Sequence, residues 1–286
     1  MPVRVRCHTD PACSASWAAE PRLRRLQREF GAGLQITYVM GGLAREYSGD
    51  LAWLAFEWLD AAARSGMPVD SRVWQGDGGL RSTFPACLAV KAATEQGDEP
   101  AGRLLRALRE GILCRQRRLD APEALVEEAR RAGLDAQRFR VDLESNATVE
   151  AFGADLEETR TVPHAARERG LARAGTHGSK AERLSFPTLR FVPAEGAGAG
   201  EEGWCGGDHP YEDWRAAAIA AGATPSDEPA PDVPAALRLF GTMAAVEVAA
   251  VCELPGPRAN AELWRLATEW LVQPERFASG ELWRLA

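Results

Sequence analysis

The sequence predicts an α/β protein whose small sheet is interrupted by a large all-helical insertion and followed by a small, mainly helical C-terminal module. Three observations predict it. Strand, helix and strand patterns succeed one another over about residues 2–40. Helical character then runs to about residue 172, and strand character returns at Thr188–Val192 before a proline-rich stretch and a last group of short helices.

Val3 and Val5 alternate with Arg4 and Arg6, so residues 2–7 read as a short strand. After the turn-like His8-Thr9-Asp10-Pro11, Trp17, Leu23, Leu26 and Phe30 fall at mostly helical spacings across about 14–30. Gly31 closes that helix, and Pro21 within it is expected to bend it. Leu34–Met40 alternates as a second strand and ends at Gly41-Gly42. Two strands joined by so short a helical crossover make a βαβ unit, which pairs in parallel. Helix patterns follow at about 51–59, 85–95, 104–117, 122–132 and 148–170, with no strand pattern among them. Phe186-Pro187 leads directly into the Thr188–Val192 strand. A Gly- and Glu-rich turn over 194–203, a brief edge strand at Trp204-Cys205 and a helix over 210–222 complete this part.

Pro225, Pro229, Pro231 and Pro234 mark a linker. Beyond it, short helices at about 235–241, 243–251 and 259–271 precede a possible hairpin, a winged-helix-like pattern. The expected division is 2–48 and 173–222 for the two parts of the sheet domain, 49–172 for the insertion, 223–234 for the linker and 235–286 for the module. The hexapeptide Glu-Leu-Trp-Arg-Leu-Ala occurs at both 262–267 and 281–286, which reads as a coincidence of composition.

The chain has 286 residues, 45% of them hydrophobic, with 34 Lys and Arg against 41 Asp and Glu. A net charge of −7 argues against a nucleic-acid partner, and residues 235–286 are not locally basic, so packing or a protein contact is the better role for them. No apolar run reaches the roughly 20 residues of a membrane span, and the N-terminal segment has no secretory apolar region; a cytoplasmic protein is expected. The six cysteines are irregularly spaced, with no Cys-x-x-Cys pair. Cys205 and His209 with Cys7 and His8 match no recognised metal spacing, and no metal is expected.

One cysteine stands out by its setting. Cys13 immediately precedes a helix, where free backbone N–H groups and the helix dipole favour an anion and lower a thiol's pKa. The thiolate is the nucleophile, so such a position suits redox or thiol-transfer chemistry. Pro187 adds to this. It cannot donate to a sheet ladder, so it belongs at a strand start or bulge, where a cis bond is a natural solution.

The order strand, Cys13-Ser14-Ala15-Ser16 at a helix start, Pro21 five residues on, strand, helical block, then Phe186-Pro187-Thr188 and strand resembles the thioredoxin fold of the DsbA-like family. Asp10-Pro11, Trp17 after the motif and Met40-Gly41-Gly42-Leu43 look most like its FrnE-like and YjbH-like branches, and the likeness covers about residues 2–222. The resemblance implies catalytic roles for Cys13 and Ser16. It also implies a substrate groove framed by Trp17, Phe186, Pro187 and Thr188, in which the cis-proline loop pairs with an extended peptide. Ser16 stands where the family has its second cysteine, so no resolving thiol lies three residues away. What remains is a monothiol thiol–disulfide oxidoreductase or isomerase acting on a disulfide-containing peptide or protein, with glutathione or another small thiol as co-substrate. Two alternatives stay open. One is a YjbH-like adaptor that grips a protein partner through residues 235–286. The other is a glutathione-dependent transferase or isomerase, although the kappa-class and 2-hydroxychromene-2-carboxylate isomerase relatives carry Ser at the position of Cys13. Cys7 reads first as a buried strand residue. A Cys7–Cys13 bridge requires their Cα atoms within about 7 Å. Glu20 is expected on the solvated face of its helix.

Overall fold

Strand β1 (Val3–Thr9) is central because both its faces are needed. Val3, Val5 and Cys7 point into the main apolar core, while Arg6 and His8 on the other face meet a helix of the insertion. The computed structural model describes residues 2–48, 51–74, 79–174, 182–194 and 200–286. In it β1 pairs in parallel with β2 (Leu34–Met40), Val5 opposite Ile36, as the short crossover requires. On its other edge β1 runs antiparallel to β5 (Thr188–Val192), Cys7 opposite Leu189, and β6 (Gly203–Gly206) closes the order β2-β1-β5-β6.

The crossover is two helices, α1 (Ser14–Ala18) and α2 (Glu20–Phe30), not one bent rod. Pro21 has no N–H to give to Trp17, so the first helix stops and Pro21 falls in the opening turn of the next, where a missing N–H costs nothing. Between β2 and β5 the chain builds α3 (Ala52–Ser65), α4 (Phe84–Thr94), α5 (Asp98–Arg109), α6 (Pro122–Arg131), α7 (Ala136–Leu143) and α8 (Asn146–Arg160). The helix expected to run to residue 170 ends at Arg160. Pro163 interrupts it, and a short α9 (His164–Glu168) follows. A ribbon of β3 (Ala172–Ala174) and β4 (Glu182–Leu184) comes next, beyond the helical block, a strand pair not read from the sequence. Part of the turn expected over 194–203 lies outside the described residues.

After α10 (Tyr211–Ala220) the proline-rich segment lies along the body, with Ser226 N–H donating to Glu29 O at 2.7 Å. Asp232 then caps α11 (Val233–Phe240) by accepting from Ala235 N–H. The chain continues through β7 (Met243–Ala244), α12 (Ala245–Val251), α13 (Gly256–Thr268) and the hairpin β8 (Val272–Phe277) and β9 (Gly280–Leu285), with sheet order β7-β9-β8. Leu237, Met243, Val248, Leu263, Val272 and Trp283 belong to a core of their own. The repeated hexapeptide is helical in α13 and extended in β9, and its two copies meet where Trp264 packs edge-on against Trp283 at 4.8 Å.

These C-terminal residues are seated on the body through buried charge. Glu247 of α12, with no exposed surface, accepts from Arg106 of α5 at 2.7 and 2.9 Å and lies 3.0 Å from Arg24 of α2. Arg24 and Arg106 also donate to Thr242 O, at 3.0 and 3.1 Å. Glu20 joins the same cluster, paired with Arg106 at 3.1 Å and with Arg109. Its expected place on the solvated face is therefore wrong: it is 5% exposed, because three guanidiniums from two helices converge on it. The hairpin turn docks separately, with Ser279 Oγ accepting from Val69 N–H at 2.8 Å.

Removing one partner of a buried ionic cluster leaves uncompensated charge. Glu247→Ala is therefore expected to cost about 3 kcal/mol of unfolding free energy, read as a lowered urea midpoint. A variant within about 0.5 kcal/mol of the parent, the range of ordinary surface substitutions, would show that this cluster does not hold the C-terminal residues in place.

Candidate functional site

Cys13 is the N-cap of α1, in extended conformation, with its sulfur accepting from Ser16 N–H at 3.4 Å. The loop that delivers it is fixed by Asp10. This carboxylate, wholly buried, accepts from Ala12 N–H (2.9 Å), Leu43 N–H (2.8 Å), Thr83 Oγ1 (2.9 Å) and Cys87 Sγ (3.4 Å). One side chain thus ties the Cys13 loop to the end of β2 and to the start of α4.

The Phe186–Pro187 bond is cis, and Phe186 O is 3.9 Å from the Cys13 sulfur. Cys13, Ser16, Phe186 and Pro187, far apart in sequence, are brought together. Two glycines make this approach sterically allowed. A Cβ on Gly41 would lie 1.9 Å from the Phe186 ring, and one on Gly207 2.5 Å from Pro187 Cδ. Gly207 N–H also donates to Pro187 O at 2.9 Å. Arg183 lies over the Phe186 ring, 4.5 Å from its centre.

Trp17 and Thr188 do not line a groove. Trp17 is 1% exposed, donates through Nε1 to Pro68 O at 2.8 Å and lies beneath the Arg106 guanidinium. Thr188 is buried, its hydroxyl bonded to Ser185 O at 2.8 Å. All six cysteines are free thiols. Cys7 is opposite Tyr38 and Leu189 inside the core, where burial pushes its thiol up to about 12. Neighbours Cys7 and His8 point to opposite faces of β1, so the Cys7, His8, Cys205 and His209 set does not converge. Among the described residues no cluster of His, Cys, Asp and Glu could hold a metal ion.

Cys13 experiences competing influences. Burial pushes its thiol up; the Ser16 hydroxyl and backbone N–H pull it down; Asp10 and Glu57 push it up again. With the residue 7% exposed, desolvation wins, against the lowering expected from a helix N-terminus alone. Sequence reasoning missed the residues that set this balance. They are Asp10, just beyond β1, and Glu57 of α3. Only Asp10, quoted for its likeness to the family, gave a signal. Helix α3 packs on α1 and turns Phe56, 73% exposed, to solvent.

The other face of β1 carries a separate polar site. Glu158 of α8 accepts from Arg6 Nε at 2.8 Å and from His8 Nε2 at 2.9 Å, beside a cleft of about 320 Å³ walled by Leu184, Arg190 and Trp204. None of its lining residues belongs to the Cys13 site.

A four-stranded sheet with a cysteine at the first helix start and a cis-proline facing it defines a thioredoxin-fold protein, here with one thiol in its motif. Residues 7–163 match the family described as Thioredoxin. The chain belongs to that family. It is similar to the ClpXP adapter protein SpxH of Halalkalibacterium halodurans, 28% identical over 99% of this chain and 89% of the relative. Among solved structures it resembles a candidate protein disulfide isomerase from Nitrosomonas europaea (TM-score 0.60, 18% identity, 76% of this chain and 96% of that one). It also resembles the cytosolic disulfide reductase DsbM of Pseudomonas aeruginosa (TM-score 0.54, 18% identity, 74% of this chain and 95% of that one). No helix among the described residues is long and apolar enough to cross a membrane.

The Glu158 site predicts an acid-side dependence of stability. Burial would raise this carboxyl, but the bonds from His8 and Arg6 outweigh it and bring it from 4.5 down to about 2. The unfolded chain then binds more protons, so this stabilisation is present above about pH 4.5 and is lost as pH falls toward 2. Urea midpoints of the parent and Glu158→Gln are expected to differ most above pH 4.5 and to converge on acidification. Parallel curves over that range would remove the assignment.

Proposed function

We propose that this chain is a protein-binding adapter of the SpxH kind, a DsbA-like body that grips a protein partner and delivers it to the protease ClpXP in the cytoplasm. One observation carries this reading. The adapter relative matches 99% of the chain, whereas the structures related to disulfide enzymes account for about three-quarters of it. What the adapters add is chain beyond the thioredoxin body. Residues 233–286, winged-helix-like in their order of elements and clamped to α2 and α5 through Glu247, are the partner-binding module of the proposal. Their own core and rigid seating suit a surface that must hold its shape under load.

A second reading is favoured by the Cys13 geometry: monothiol exchange. A Cys13 thiolate attacks one sulfur of a disulfide, forms a mixed disulfide and expels the other sulfur as a thiolate. Ser16 cannot resolve the adduct, so a second external thiol must release it. DsbM has been solved with glutathione, and glutathione is the small thiol we assign to this step. Phe186 O and the cis-proline loop supply the main-chain edge for a peptide substrate.

The readings separate experimentally. In cells lacking the chain, a small set of ClpXP substrates is expected to show half-lives at least about threefold longer, in line with the several-fold abundance changes that altered turnover produces. Cys13→Ser is expected to restore normal turnover. Unchanged half-lives across the proteome would remove the adapter reading. For exchange, reduction of insulin by dithiothreitol is expected to be slow with the parent and about tenfold faster with Ser16→Cys, which supplies the resolving thiol. No gain from that variant would remove exchange as an activity of this site.

A further inference from the structure

Beside the cis-proline loop stands a cation that has no ion pair among the described residues. Arg183 of β4 lays its guanidinium over the Phe186 ring, 4.5 Å from the centre, and the carbonyl of the same Phe186 is 3.9 Å from the Cys13 sulfur. Cation and sulfur thus lie against one residue, the first at its ring and the second at its carbonyl. Arg106, Arg109 and Arg190 each hold a carboxylate, whereas Arg183 holds none among the described residues. Its Nη1 donates to Leu184 O at 2.7 Å, and its Nε is buried without a partner. A guanidinium has five N–H donors and no acceptor, so those left over are met only by water or by the oxygen atoms of a ligand. Arg183 is half-buried, which leaves part of it open to either. Of the two carboxylates that act on the sulfur, Asp10 is wholly buried and spent on its own donors. Glu57 of α3 repels an anionic reactant, so an anion is drawn to this thiol by Arg183 or not at all.

We propose that Arg183 is a specificity-determining residue of the Cys13 site: it takes a carboxylate of the incoming disulfide and so selects small, carboxylate-bearing thiols of the size of glutathione. The proposal rests on the monothiol-exchange reading and names what the site recognises besides sulfur. A guanidinium receives a carboxylate through charge-assisted bonds roughly twice as strong as neutral ones. An extended tripeptide spans about 10 Å, enough to lie along Phe186 from the sulfur to the guanidinium. Burial pushes the guanidinium down and the negative charges of Cys13, Asp10 and Glu57 push it up, so Arg183 is within electrostatic range of the reacting sulfur. In the exchange itself Cys13 first gives its proton to water. The thiolate then attacks one sulfur of glutathione disulfide, and the bond from Cys13 to that sulfur forms as the old S–S bond breaks. The second glutathione leaves as a thiolate with the electron pair. Arg183 exchanges neither proton nor electron and only holds the carboxylate.

The test follows mixed-disulfide formation on Cys13 in the full chain, by mass spectrometry of the Cys13 peptide, with glutathione disulfide and with the uncharged 2-hydroxyethyl disulfide. The quantity read is the ratio of the two rates. Arg183→Met keeps an unbranched side chain over Phe186 but removes the charge. It is expected to lower the ratio about tenfold, the effect of one charge-assisted bond at a half-buried position. Arg183→Lys keeps the charge and loses the planar fork, and is expected to fall between the parent and Arg183→Met. A merely structural role for Arg183 would change both rates by the same factor and leave the ratio alone. If Arg183→Met does not fold, Arg183→Gln makes the same comparison. An unmoved ratio in the folded variant would overturn the proposal and leave the exchange reading standing. Reaction of Cys13 with neither disulfide would end both.

Discussion

Charge that has been taken out of water must be paired, and in this protein the pairing joins parts of the chain that nothing else would oblige to meet. Glu20 and Arg24 come from α2, Arg106 and Arg109 from α5, and Glu247 from α12, so sheet domain, insertion and C-terminal residues each contribute. Such a cluster is weak evidence for net stability, because desolvation offsets most of the attraction. Its effect is on assembly: leaving out any contributor strands an ion in a low-dielectric interior, so partial structures are penalised more than the complete one is rewarded. Arg106 also covers Trp17, which sets the floor under the motif helix.

The thiol site depends on that assembly. Arg109, paired with Glu20, donates to Thr9, which in turn donates to Ser16 Oγ. From the other side Asp10 gathers donors from the end of β2 and from α4, while Gly41 and Gly207 leave room for Phe186 and Pro187 to close over the sulfur. The result is a sheltered thiol whose protonation is decided by a contest between burial and a few directed donors. The same neighbourhood offers an exposed aromatic, Phe56, on the helix that packs on α1.

Much of the fold was legible in the sequence, for local reasons. Valine alternation marked β1, the short crossover required parallel β1–β2 pairing, and the Phe186-Pro187 start marked β5. Cys13 was singled out by its helix-start setting and Pro187 by its strand start, and the family resemblance implied that the two lie together. Where the reading failed, a partner distant in sequence decided. Glu20 was expected on the solvated face, yet Arg24 of its own helix pairs with it, joined by Arg106 and Arg109 from α5. Trp17 looked like a groove wall but is a core residue, because Pro68 O and Arg106 enclose it. The lowered thiol expected at Cys13 failed for the same reason, since burial is a property of the surroundings and not of the motif.

The repeated hexapeptide draws the boundary between the two sources of information. Glu-Leu-Trp-Arg-Leu-Ala forms the helix α13 at 262–267 and the strand β9 at 281–286. Composition determined that both copies would contribute leucines to an apolar core, and it did so in each: Leu263 and Leu266 in one, Leu282 in the other. Which backbone they adopt was decided by tertiary structure. The second copy has β8 and β7 beside it to complete its ladder, while the first bonds within its own turns. All of these residues but Trp are good helix formers, so the strand of the second copy is imposed by pairing and burial, which exist only in the folded chain.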